Sequence, residues 1–134
     1  MRMALAVLVV LVTTWAGCAS GLSDRDELIE AVSRFNDDLR WGRWDSATVW
    51  MAPRARREFL RELPRTTHGG ALQTADVEVV GMQPLPGGRA VVRVERSWYL
   101  LTDTELRHGL FEQRWEQQDG AWRLTAERQL VARN

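Results

Sequence analysis

Apolar residues recur at helical spacing at Leu28, Val32, Phe35 and Leu39, and from about Thr74 onward they alternate instead with polar ones. The first rhythm predicts an amphipathic helix and the second predicts strands. Ser23 followed by Asp26 resembles a capping box with Asp in place of Glu or Gln, and Asp24, Asp26 and Glu27 suit the positive end of a helix. The first helix is therefore predicted to start at Ser23 and to end at Gly42. Asp45 is predicted to cap a short second helix through Ala47, Val49 and Trp50. Pro53 suits the first turn of a third helix, Phe59, Leu60 and Leu63 give it a buried side, and Pro64 is predicted to stop it.

In the strand region, Val77 and Val79 alternate with Glu78, turn formers fill Pro84 to Gly88, and Ala90, Val92 and Val94 resume the alternation. This second strand continues through Trp98 to Leu101 and turns near Asp103. A third is predicted from about Leu106 to Gln117. Asp119-Gly120 is a strong hairpin signal, because a two-residue mirror-type turn needs positive φ at both positions. A fourth strand follows through Trp122, Leu124 and Ala126. Consecutive hairpins imply an antiparallel sheet with one face on the helices, an α+β fold.

Strand parity then sorts the side chains. Ala90, Val92, Val94, Arg96, Trp98 and Leu100 share one face, and Phe111, Gln113 and Trp115 are assigned to the same inner side. Glu112, Arg114 and Glu116 fall outside, where charge pairs with Arg93, Glu95 or Arg123 are expected. Arg96 stands out among apolar neighbours. A buried guanidinium must find a carboxylate, reach the rim or meet a ligand. Trp41, Trp44, Trp50, Trp98, Trp115 and Trp122 are expected to fill the core, since each buries a large apolar area.

Ahead of the first helix, Arg2, an apolar run from Met3 to Val12 and then Trp15-Ala16-Gly17-Cys18 form a different kind of pattern. The run is shorter than the roughly 20 residues that span a bilayer, and it has the shape of a secretory signal. Cys18 is the only cysteine, an unusual remainder for an exported chain. Ala16, Gly17 and Cys18 resemble the lipobox of a bacterial lipoprotein signal, with Trp15 where that family usually has leucine. The resemblance implies loss of residues 1–17, a thioether-linked diacylglycerol and an N-acyl chain on Cys18, and a membrane partner through that lipid. Ala19, in place of aspartate, implies the outer membrane of a Gram-negative host. Residues 18–22 would form a short spacer and residues 23–134 the domain.

Charge and composition narrow the chemistry. The 134 residues contain 18 basic side chains, all arginine, and 18 acids. Loss of Arg2 leaves 17 against 18, a net of −1, which makes no electrostatic case for nucleic acid or an anionic membrane surface. Without lysine, Schiff-base and phosphate-loop lysine chemistry is excluded. His68 and His108 lack a second histidine at metal-ligand spacing, so neither a metal nor another cofactor is expected. His108 with Asp103 is a conceivable acid–base pair. None of Ser20, Ser23, Ser33, Ser46 or Ser97 lies in a Gly-x-Ser-x-Gly setting, and no residue is assigned a catalytic role.

Phe35, Gly42-Arg43-Trp44-Asp45, Pro53, Gln113-Arg114-Trp115 and Asp119-Gly120-Ala121-Trp122-Arg123-Leu124 resemble the nuclear transport factor two-like superfamily, also called cystatin-like or polyketide-cyclase-like. The resemblance covers most of residues 24–131. It implies N-terminal helices packed on a curved four-stranded antiparallel sheet, with the usual first strand between the second and third helices missing or reduced to a few residues. It also implies a cone in which members bind ligands or perform catalysis. Three functions follow: a non-catalytic domain contacting an envelope protein partner, a small-ligand binder using Arg96, Trp98, Gln113 and Trp115, and an isomerase, dehydratase or cyclase. The first is favoured.

Overall fold

The structure, a computed structural model, describes residues 20–133. Cys18 and the rest of the signal-like segment lie outside the described residues. Three helices, α1 (Ser20–Arg40), α2 (Trp44–Thr48) and α3 (Pro53–Thr66), precede four strands. These are β1 (Leu72–Leu85), β2 (Arg89–Leu100), β3 (Arg107–Gln118) and β4 (Ala121–Arg133), paired antiparallel in sequence order as one sheet. The α+β architecture predicted from the two periodicities is the observed one.

α1 starts three residues before the expected Ser23, which therefore lies inside the helix. Its apolar stripe is as predicted: Leu28, Val32, Phe35 and Leu39 are buried and face Val92, Val94, Trp115 and Leu124 of the sheet in one core. α1 ends where Gly42 adopts a φ of 65°, a left-handed conformation that glycine reaches without a Cβ clash. Arg43, not Asp45, occupies the cap position of α2, and its guanidinium binds Asp37 at 2.6 Å and Asp38 at 2.8 Å. That clamp joins the end of α1 to the start of α2.

α3 begins with Pro53 as predicted, but Pro64 does not stop it; the helix continues to Thr66. The N–H hydrogen bond that proline removes would have gone to the carbonyl of Leu60, and on a helix this open to solvent water can take that place. No residue of α3 is buried, and Leu60 is 43% exposed rather than inward. Between α2 and α3 the expected extra strand is reduced to a bridge, Met51 beside Leu124, held by Leu124 N–H to the Trp50 carbonyl and Ala52 N–H to the Leu124 carbonyl.

The sheet curves through four register shifts, at Thr74/Asp76 and Val79/Gly81 in β1 and where β4 faces Leu110/Phe111 and Arg114/Trp115. Each adds an unpaired residue and bends its strand. The Asp119-Gly120 turn has φ of 52° and 77°, the mirror-type geometry predicted from its composition. Of the six tryptophans expected in the core, Trp115 and Trp122 are buried, while Trp44 and Trp50 pack partly buried against it. Trp41 corrects the expectation. It is 64% exposed, with Nε1 donating to Asp37 and Arg40 over its ring.

Candidate functional site

Inside the cone the four residues singled out by parity do share the inner side, but they divide into two groups. Gln113 and Trp115 on β3 are fully buried. Arg96 and Trp98 on β2 line a cleft of about 370 Å³ between α3 and the sheet, with Phe59, Leu63, Phe111 and Glu127. A second hollow of about 340 Å³ continues beneath α3 toward Met51 and Leu124. α3 thus covers the sheet without packing tightly on it.

Arg96 is paired. Its two terminal nitrogens donate to both oxygens of Glu127, at 3.1 and 2.9 Å, and its guanidinium lies 4.3 Å above the Phe111 ring centre. This reach from β2 to β4 passes over the Phe111 ring of β3, while Gly109, the residue opposite Arg96, has no side chain. Trp98 fills that space and meets Phe111 edge-on at 6.0 Å. Only Arg96 Nε lacks a hydrogen-bond partner among the described buried side-chain atoms, and it is enclosed rather than open to the cleft.

Glu127 also accepts from Gln113 Nε2 at 2.8 Å. Gln113 in turn exchanges bonds with Asn36 of α1, and its oxygen takes the Trp115 Nε1–H at 3.3 Å. A continuous polar chain therefore runs from Asn36 through Gln113 and Glu127 to Arg96. Burial pushes the Glu127 carboxyl up, but the Arg96 charge, the Arg96 hydrogen bonds and the Gln113 bond outweigh it and hold the group below the usual carboxylate range. A general acid needs the opposite shift, toward neutral pH. Glu127 is ionised, doubly engaged and a weak base.

The remaining candidates for chemistry are scattered. His68 lies exposed at the rim of the cleft with a φ of 50°. Asp103 pairs with Arg107 rather than with His108, so the conceivable acid–base pair does not form. Hydrogen bonds from Arg107 and from the Glu105 backbone N–H, with the Arg107 charge, lower the Asp103 carboxyl. On the outer face Glu112 binds Arg128 at 3.1 Å and Arg114 at 3.6 Å, instead of Arg93 or Arg123. Among the described residues no group of His, Cys, Asp or Glu could hold a metal ion.

Asn36 and Glu127 were not singled out from the sequence. Asn36 had a signal, because it falls beside Phe35 and one turn after Val32 on the apolar stripe. Glu127 had none. Trp122 and Leu124 alternate inward, but the extra residue Thr125 reverses the parity and brings Glu127 opposite Gln113.

No protein-family model matches the chain, and no curated protein matches it in sequence. Solved structures do. An NTF-2 like protein of unknown function from Shewanella oneidensis superposes with a TM-score of 0.60 at 15% identity, covering 78% of this chain and 97% of that one. Agrobacterium tumefaciens VirB8 gives 0.57 at 12% identity over 84% and 96% of the two chains. A cystatin-like fold protein of unknown function from Nostoc punctiforme gives 0.53 at 13% identity over 80% and 90%. At these identities the likeness is one of fold, and the fold is the NTF2-like, or cystatin-like, α+β cone.

Proposed function

We propose that this chain is a lipid-anchored protein of the cell envelope whose cone domain works by contacting an envelope partner rather than by catalysis. The observation that carries the non-catalytic reading is the polar chain Asn36–Gln113–Glu127–Arg96, which engages the inward polar side chains of the sheet with one another and holds the Glu127 carboxylate ionised. The anchoring reading rests on Ala16-Gly17-Cys18 and on Ala19, which favours the periplasmic face of the outer membrane in a Gram-negative host. Several acyl chains give stable attachment, whereas one gives marginal attachment.

A second reading is favoured by the cleft of about 370 Å³, walled by Trp98, Phe111 and Phe59, which has room for a small apolar molecule. Gln113 and Trp115, sealed behind it, would shape this site without touching the ligand. One experiment addresses both. Cys18→Ser is expected to abolish metabolic palmitate labelling and to release the domain from membranes; labelling that persists refutes the anchor. Native mass spectrometry of the released protein then separates the readings: a retained apolar molecule supports the cleft, and an empty domain supports partner contact.

A further inference from the structure

α3 carries a surface that the cone does not use. Ala55, Phe59 and Leu63 turn toward the sheet. At ~3.6 residues per turn the opposite side is Arg54, Arg57, Arg61 and Arg65, a stripe about 16 Å long, with the half-exposed Leu60 beside it. With Arg56, five arginines against Glu58 and Glu62 give this helix a charge of +3, in a chain whose net charge is zero. Net charge concealed this segregation. Arg61 and Arg65 flank Glu62, whereas Arg54, Arg56 and Arg57 form no ion pair among the described residues.

The stripe also has a definite place relative to the start of the domain. Trp122 Nε1 donates to the Asp24 carbonyl, fixing the beginning of α1 on the first residues of β4. Two residues along the same strand, about 7 Å away, Leu124 holds Trp50 and Ala52, the approach to α3. The end of α1 that leads back toward Cys18 therefore meets the same strand two residues before the approach to α3, and α3 runs on from there beside the second half of α1, its Ala55 sharing a hollow with Phe35 and Leu39.

The geometry points to a second membrane contact: the Arg54–Arg57–Arg61–Arg65 face of α3 lies against the anionic phosphates of the bilayer that holds the lipid. This inference rests on the anchoring reading above. A basic helix face with an apolar residue at its margin suits a headgroup surface. Asp24, Asp26 and Glu27 at the start of α1 oppose an upright stance on that end, so the domain leans on α3.

The test uses the lipidated protein in vesicles of phosphatidylcholine with or without phosphatidylglycerol, carrying an environment-sensitive dye at Leu60→Cys, the one free thiol once Cys18 is acylated. Emission is expected to shift to the blue on the anionic vesicles and to revert in high salt. Each arginine near an anionic leaflet changes the docked-to-undocked ratio about five-fold, so Arg54→Gln with Arg57→Gln and Arg61→Gln should lower that ratio about a hundred-fold. Protein that stays vesicle-bound with the same emission on both lipids overturns the inference and leaves the anchor standing. Protein that washes off both kinds of vesicle refutes the anchor itself and the inference with it. A shift produced by single-stranded RNA in solution and not by anionic vesicles assigns the stripe to another partner and likewise overturns it.

Discussion

Asn36 and Gln113 exchange amide hydrogen bonds across the cone, Gln113 Nε2 to Asn36 Oδ1 at 2.8 Å and Asn36 Nδ2 to Gln113 Oε1 at 3.2 Å. Both are buried, and 77 positions of sequence separate them. This pair joins α1 to the middle of the sheet at a point where an apolar contact would be ordinary. It sets the register of the helix on β3 because neither amide can slide without leaving the other unpaired.

Gln113→Leu should therefore destabilise the domain by about 2–4 kcal/mol, since it leaves Asn36 and the Trp115 Nε1–H without the oxygen they now share. Asn36→Leu combined with Gln113→Leu should cost less than the sum of the single changes, because the amides are removed together. Urea unfolding of the four proteins in the cycle measures the coupling. Additive losses would show that the two amides act independently.

Glu127→Gln tests the ion pair. Arg96 is only 13% exposed, so loss of its charged partner is expected to cost about 2 kcal/mol at neutral pH. The Glu127 carboxyl is lowered in the folded protein, and its contribution is fully present above the unfolded value of about 4.3 and is lost as pH falls through the folded value. The stability gap between the parent and Glu127→Gln should narrow as pH falls below the unfolded carboxyl value and stay constant above it. A gap unchanged at acid pH would mean that shape, not charge, accounts for it.

Gly109→Ala probes the space that Trp98, Phe111 and Gln129 fill over β3. A Cβ there would stand 2.8 Å from Gln129 Nε2, 2.9 Å from the Trp98 ring and 3.0 Å from the Phe111 ring. The rings must move, at about 1–3 kcal/mol. Near-ultraviolet circular dichroism should report the displaced Trp98 and Phe111, and an unaltered spectrum with parental stability would contradict the packing described.

Much of this arrangement was legible in the sequence. The helical stripe of α1, the even-numbered face of β2 and the Asp119-Gly120 turn each follow from periods and φ requirements that act over a few residues. Arg96 was also legible as a charge among apolar neighbours, and the requirement that it find a carboxylate follows from desolvation alone. Its partner was not. The register shift at Thr125 turns Glu127 inward, and such a bulge reflects how β4 wraps around α1 and the Met51–Leu124 bridge. Trp41 was misplaced for a similar reason: the turn at Gly42 leaves it beyond the last core-facing residue of α1, and its indole lies against Asp37 instead.

By itself the sequence determined the order of elements, the inner face of each regular segment and the signal-like start, because backbone sterics, hydrophobic period and turn chemistry are local. The tertiary structure decided which polar groups meet inside the cone, that α3 covers a cleft without sealing it, and that the arginine face of α3 is the one turned away from the sheet. Those outcomes depend on strand curvature and on contacts between distant segments, where one extra residue in a strand moves a side chain from one face of the sheet to the other.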